Sequence, residues 1–237
     1  MIKTQKARIP IGGFLKQSLL DYPGFLSCIV YTQGCNMRCR YCHNPNLVYP
    51  ALIKQSEKLN TVEIIEWISK NSRLLDAVVI TGGEPTLHRS LPAFIRQFKE
   101  MGLKVKLDTN GSNPEMLEKL IEGAYVDHIA MDVKAPLETS NYHGIMASRF
   151  NSSLLPKIMQ SVRLLNRQQV SHEYRVTLDN SLSLVQLEQI LAQTRGNLYL
   201  QPVRDINTQV ELPHPGITAA DLQWLCGRFP GREVSVR

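Results

Sequence analysis

No apolar run in the sequence approaches membrane-spanning length, which argues against a helical span. The opening segment, MIKTQKARIPIGGFLKQ, lacks the sustained apolar core of a secretory signal. The chain is therefore expected to be cytoplasmic. Aromatic residues make up only 7%, and no dense Lys/Arg block is interleaved with them. A nucleic-acid partner is thus not expected, although the formal charge of +6 would permit one. There is no tandem repeat and no low-complexity tract. What remains is the composition of a globular protein, 43% hydrophobic and 20% charged. The 237 residues can bury a sizeable core and are read as one domain, 1–237.

Cysteine is scarce: five in all, and three of them fall in GCNMRCRYCHNP, as Cys35, Cys39 and Cys42. Where thiols stay reduced, such a group reads as metal or redox chemistry rather than disulfides. Its polar flanks, NMR and RY, do not suit a core. A structural zinc site needs a fourth ligand. His43 is adjacent to Cys42, neighbouring residues rarely reach one tetrahedral ion, and no second Cys-x2-Cys pair exists. An iron–sulfur cube normally takes four thiolates, so three leave one iron open to bind a small molecule. Cys28, in FLSCIVYT, and Cys226, in DLQWLCGRF, read as inert core cysteines.

The rest of the chain alternates short apolar runs with helical stretches. Strands are expected at 25–32, 76–83, 103–111, 126–134, 172–178 and 197–202. Between them, NTVEIIEWISK offers Asn60 as N-cap with Glu63 three residues on, a capping-box pattern. NPEMLEKLIEG places Asn113 at the cap and Pro114 at the first helical position, with Gly123 as the stop. SLPAFIRQFKEMG, LLPKIMQSVRLLNRQ and SLVQLEQILAQT supply further amphipathic helices. Strands alternating with helices imply an α/β fold with a parallel sheet and outer helices, open or partly closed as a barrel. In such folds chemistry gathers in the loops after the strands. The cysteine loop (33–46), TGGEPT, DTNG and DVKAP follow the first four expected strands in turn.

Cys-x3-Cys-x2-Cys after the first expected strand, with aromatic Tyr41 before the last cysteine and GGEP at 82–85, resembles the radical S-adenosylmethionine (SAM) enzymes. SLLDYPGFLSCIVYTQGCNMRCRYCHNP, LDTNG and AMDVKAP narrow the resemblance to the glycyl-radical-enzyme activases. Among these the chain looks most like the activating proteins of anaerobic ribonucleoside-triphosphate reductase, well over 14–140 and in outline beyond. The resemblance implies a partial (β/α)6 barrel and a [4Fe–4S] cluster on Cys35, Cys39 and Cys42. SAM chelates the open iron. On one-electron reduction it yields a 5′-deoxyadenosyl radical, which takes a hydrogen atom from a backbone glycine of a partner.

The same resemblance implies roles for further residues. The backbone at Tyr41, Cys42 and His43 meets the adenine, and Gly82 and Gly83 let the backbone approach the amino group of SAM. Glu84 holds that turn, or is a plain surface carboxylate. Asp108, Thr109 and Asp132 form a SAM-carboxylate and monovalent-cation site. Lys134 neutralises the SAM carboxylate, or is a strand-end surface lysine. Asp21 positions the incoming glycine loop, or only caps the turn at Pro23-Gly24. The ribose contact is left between Gln201 and Arg204. With no second cysteine cluster, electrons come from an external donor such as flavodoxin or ferredoxin. The expected partner is the large subunit of anaerobic ribonucleotide reductase. The other readings are a radical SAM enzyme acting on a small molecule or peptide, and a non-catalytic iron–sulfur or zinc module.

Overall fold

The computed structural model describes residues 7–57, 59–146, 150–167, 169–179, 182–203 and 216–237. Arg204 lies outside the described residues. The chain divides into two compact units. The first comprises Met1–Asn36, Asn44–Thr109 and Glu115–Ile129, and the second Met37–His43, Asn110–Pro114 and Ala130–Arg237.

In the first unit, strands β1 (Ile11–Ser18), β2 (Ser27–Thr32), β3 (Ala77–Gly82) and β4 (Lys104–Thr109) lie side by side in that order. β1 runs antiparallel to β2, and β2, β3 and β4 are parallel. β2 and β3 carry near-continuous buried runs, SCIV and AVVI, as strands covered on both faces do. One face, with Ile29, Ala77 and Val79, is covered by Tyr22 and Phe25. Helices α1 (Pro45–Val48), α2 (Pro50–Gln55), α3 (Thr61–Asn71), α4 (Leu91–Glu100) and α5 (Pro114–Glu122) follow the strands, with a short 3-10 turn at Pro85–Leu87. α4 buries Phe94 and Phe98, edge to face at 4.9 Å, each contributing about 2 kcal/mol through burial.

β5 (His128–Asp132) begins in the first unit and ends in the second. In the second unit the order is β5, β6 (Ser171–Leu178), β7 (Asn197–Pro202), β8 (Val234–Val236), with β6, β7 and β8 parallel. Its helices are α6 (Thr139–Met146), α7 (Leu154–Leu165), α8 (Leu184–Gln193) and α9 (Ala219–Arg228).

The six expected strands are all present, each end within two residues or so of expectation. β1 and β8 were not expected. The Gly12-Gly13 pair and Lys16-Gln17 blur the alternation of β1, and β8 is three residues long. Two helix ends differ from expectation. The Asn60 side chain does accept from the Val62 amide, but its own amide donates to Glu63, so no reciprocal box forms. Complete capping boxes occur instead at Ser183–Gln186 and Thr218–Asp221. α5 is terminated by Ala124, not Gly123. Ala124 is the left-handed residue, with φ 49°, and bonds Ala124 N–H to Ile121 and Tyr125 N–H to Leu120 close the end. Gly123 is small for another reason: a Cβ there would lie 2.3 Å from the Tyr125 ring. Alanine in the left-handed region costs about 1 kcal/mol relative to glycine. Ala124→Gly should therefore raise the melting temperature by about 2–4 °C, as differential scanning calorimetry would read.

Candidate active site

In the first unit the end of β3 is laced to the root of the cysteine loop. Gly83 N–H donates to the Thr32 carbonyl at 2.8 Å and Glu84 N–H to the Gly34 carbonyl at 2.7 Å. The approach leaves no room for side chains. A Cβ on Gly82 (φ +113°) would sit 2.4 Å from Thr32 N, and one on Gly83 would sit 2.0 Å from the Gly34 carbonyl oxygen. The two glycines are thus required by protein packing, whatever they also offer a ligand.

Glu84 is fully buried, not a surface carboxylate. Its Oε1 accepts from the Thr86 amide at 3.1 Å, from the Thr86 hydroxyl, and from the Thr109 hydroxyl at 2.8 Å. One carboxylate thereby fixes the GGEP turn and the end of β4. The Thr109 hydroxyl proton is spent on Glu84, while its oxygen remains an acceptor. His88, which the sequence did not single out, bonds the Gln33 carbonyl through Nε2 at 3.0 Å, pinning the residue two before Cys35.

Asp21 belongs to a tight knot. Its carboxylate accepts from the Ser18 hydroxyl, and its amide donates to Ser18 Oγ at 3.2 Å. Its carbonyl accepts from Lys106 Nζ at 2.6 Å. The turn at Pro23-Gly24 closes separately, through Phe25 N–H to the Tyr22 carbonyl at 3.0 Å with Gly24 at φ +84°, as a type II turn requires. The Asp21 side chain does not cap it. Asp108 lies two residues beyond Lys106, its Oδ1 3.6 Å from the ammonium.

In the second unit Asp132 is bracketed by cations. Lys134 Nζ meets its Oδ2 at 2.8 Å and Arg175 Nε its Oδ1 at 2.9 Å. Burial pushes the Asp132 carboxyl up, but Arg175 and Lys134 outweigh that and hold it at about 2. Burial alone would lower Lys134, and Asp132, Cys39 and Tyr41 together raise it instead. Lys134 is buried, not a surface lysine. Its ammonium stands 5.9 Å from the centre of the Tyr41 ring, whose buried hydroxyl has no hydrogen-bond partner among the described residues. Charge on Asp132 is thus met by Lys134 and Arg175.

The cysteine loop spans both units: Cys35 belongs to the first, Cys39 and Cys42 to the second. All three are half-buried thiols outside any disulfide. Cys42 N–H bonds the Cys39 carbonyl at 3.2 Å, and Cys39 Sγ lies 3.8 Å from Met146 Sδ. Burial pushes the Cys39 thiol up. The intervening Arg40 is clamped to Asp179, with Nε to Oδ2 at 2.6 Å, and its amide donates to the Ile145 carbonyl at 3.1 Å. Neither Asp179 nor Arg175 was singled out in the sequence. His43 is exposed. Cys28 is fully buried and its thiol pushed up to about 12 by burial. Cys226, expected in the core, is only half-buried, 3.7 Å from the Val234 carbonyl, because α9 buries only Leu225.

Among the described residues no group of three or more His, Cys, Asp or Glu side chains is drawn together as for a metal ion. The fit to an iron–sulfur cluster therefore rests on the donor set: three reduced, half-buried thiols in one loop whose root is fixed by Gly83, Glu84 and His88. Soft thiolates select iron–sulfur clusters over harder ions.

Residues 29–190 match the Radical SAM superfamily. A protein of Methanocaldococcus jannaschii, provisionally named as a glycyl-radical enzyme activating enzyme, is 34% identical over 169 residues, covering 70% of this chain and 67% of that one. A 7-carboxy-7-deazaguanine synthase of Aquifex aeolicus is 35% identical over 104 residues, covering 44% of this chain and 45% of that one. Of solved structures, SuiB of Streptococcus suis bound to S-adenosylmethionine aligns with TM-score 0.64 at 14% identity, over 88% of this chain and 49% of that one. QueE of Escherichia coli aligns with TM-score 0.51 at 15% identity, over 97% and 93%. The chain belongs to the radical SAM superfamily. It is an enzyme, with the α/β fold and parallel sheet of that family, and its cofactors are a [4Fe–4S] cluster and S-adenosylmethionine. No helix among the described residues is long and apolar enough to cross a membrane.

Proposed function

We propose that the chain activates a glycyl radical enzyme by generating a radical on a backbone glycine of that partner, and that the partner is the large subunit of an anaerobic ribonucleotide reductase. The observation that carries the first half is the 34% identity to a relative provisionally named as such an activator. The second half is supported by DYPG and TQGCNMRCRYCHNP, the motifs that resemble the reductase activators.

Reductive cleavage of bound SAM supplies the hydrogen-abstracting species; the chain's residues hold, orient and shield. Cys35, Cys39 and Cys42 would hold the cluster. The rigid Gly82–Glu84 turn fixes the loop's root and presents backbone toward the SAM amino group. The backbone of Tyr41, Cys42 and His43 would meet the adenine. Asp108 and Thr109 would serve the carboxylate end, with a monovalent cation as counter-ion. Lys134, held by Asp132, is a buried cation suited to the SAM carboxylate. An external donor such as flavodoxin or ferredoxin supplies the electron, since only Cys28 and Cys226 remain beyond the loop.

Asp21 would receive the partner's glycine loop. Its carboxylate, oriented by Ser18, can accept backbone amides of an entering peptide. Small misplacements of the glycine cost large factors in rate. Asp21→Ala should lower glycyl radical yield by about tenfold or more, while 5′-deoxyadenosine formed without partner persists. Both products are measured in parallel, with Asp21→Asn as control. Equal loss of both signals would reduce Asp21 to a turn residue.

A second reading, a small-molecule substrate, is favoured by the 35% identity to a 7-carboxy-7-deazaguanine synthase. It predicts 5′-deoxyadenosine coupled to a small molecule and no protein radical.

A further inference from the structure

Lys106 is a charged residue in the middle of a buried strand, 3% exposed, and the chemistry above makes no use of it. The register places it beside Val79, which is beside Ile29, on the sheet face covered by Tyr22 and Phe25. Burying an ammonium is costly unless it is paired and hydrogen-bonded. Here the partners are specific. Nζ donates to the Asp21 carbonyl at 2.6 Å and lies 3.6 Å from Asp108 Oδ1. Tyr31, on the same face two residues beyond Ile29, senses the same arrangement. Burial raises its phenol most, and Asp21 and then Asp108 raise it further. Two carboxylates from distant parts of the sequence thus face one region, and the Lys106 ammonium stands between the backbone of one and the side chain of the other.

We propose that Lys106 is a positioning residue, a strut that sets the Asp21 turn relative to Asp108. It thereby ties the place where the partner's loop is received to the carboxylate assigned to SAM. The functional meaning of the two ends rests on the reading given under Proposed function; the strut itself is a property of the first unit alone. Asp21 is then held at both ends, by Ser18 at its carboxylate and by Lys106 at its carbonyl. A lysine serves here because it has a single compact ammonium on a stem that packs among apolar residues.

Amide hydrogen exchange of the anaerobically reconstituted chain tests this. The reporters are Leu20, Asp21 and Phe25, whose amides are bonded within the knot and the adjoining turn. In Lys106→Met, which keeps length and apolar stem, these three should exchange about tenfold faster or more, the loss expected for one charge-assisted bond. Amides of α4 and β3 should not change. Asp108→Asn keeps the volume and removes the charge that holds the ammonium, and should speed the same amides about threefold. The double variant should be no faster than Lys106→Met, since both act through one link. Unchanged exchange in Lys106→Met would overturn the proposal. So would an Asp108→Asn chain with an unaffected turn, because packing by the lysine stem needs no carboxylate. Should Lys106→Met fail to fold, the Asp108→Asn result decides alone. Absence of any glycyl radical on a partner would refute the proposed function and leave the exchange pattern standing, so the two failures are distinguishable.

Discussion

Alanine at any one of Cys35, Cys39 or Cys42 is expected to abolish 5′-deoxyadenosine formation. With these three as the proposed ligands, the cluster would keep one iron open to SAM. Losing a thiolate would leave it one ligand short and destabilise it. Iron content after anaerobic reconstitution should fall together with turnover. The other two cysteines are internal controls. Cys28→Ala costs packing in a fully buried site, about 1 kcal/mol. Cys226→Ala costs less, because the side chain is only half-buried. Both should keep their iron. Turnover in Cys39→Ala, or iron loss in Cys226→Ala, would contradict the ligand assignment.

Gly83→Ala should be a severely damaging single methyl addition. The added carbon would lie 2.0 Å from the Gly34 carbonyl oxygen and 2.7 Å from its carbon. Both obstacles are backbone, so no side chain can swing away. Relief requires β3's end and the loop root to part, which breaks the bonds from Gly83 N–H to Thr32 and from Glu84 N–H to Gly34. A cost of about 3 kcal/mol or more is expected, which lowers the melting temperature by about 6–12 °C. Cluster loading should drop as well, because Gly34 immediately precedes Cys35. Gly144→Ala is the matched control: nothing lies within 4 Å of the added carbon, and alanine suits a helix better than glycine. A Gly83→Ala chain with unchanged melting and full iron content would show that the contact yields cheaply.

These two results depend on different depths of reading. The cysteines and GGEP were legible because their chemistry sits in residue type and spacing. The six expected strands were legible because strands buried on both faces read as apolar runs bounded by turns. β1 was not, since an edge strand tolerates the glycines and polar residues that erase the pattern. The partners of the charged residues were hidden for another reason. Lys106 and Asp108 lie two apart on β4, and Asp132 and Lys134 two apart across the end of β5, so each pair could have been read as sharing a side of its strand. Which distant group meets them cannot be read locally. Asp21 is 85 positions from Lys106, and Asp179 is 139 from Arg40. Such pairings are settled by the register of the sheet and by the packing of the loops upon it. The left-handed Ala124 is a smaller case: the sequence offered Gly123, directly after α5, as the obvious stop, and the left-handed conformation falls on the next residue.

The central claim is that the hydrogen atom removed comes from a glycine of a partner protein. Its most direct test is electron paramagnetic resonance of the reduced, reconstituted chain mixed anaerobically with SAM and the large subunit of an anaerobic ribonucleotide reductase, prepared once with ordinary glycine and once with glycine deuterated at Cα. A doublet is predicted from the ordinary partner, since the remaining α-hydrogen splits the signal. With the labelled partner the splitting should collapse, and deuterium should appear in the 5′-deoxyadenosine. Formation of 5′-deoxyadenosine without a protein radical and without deuterium, in the presence of a competent partner, would contradict the claim.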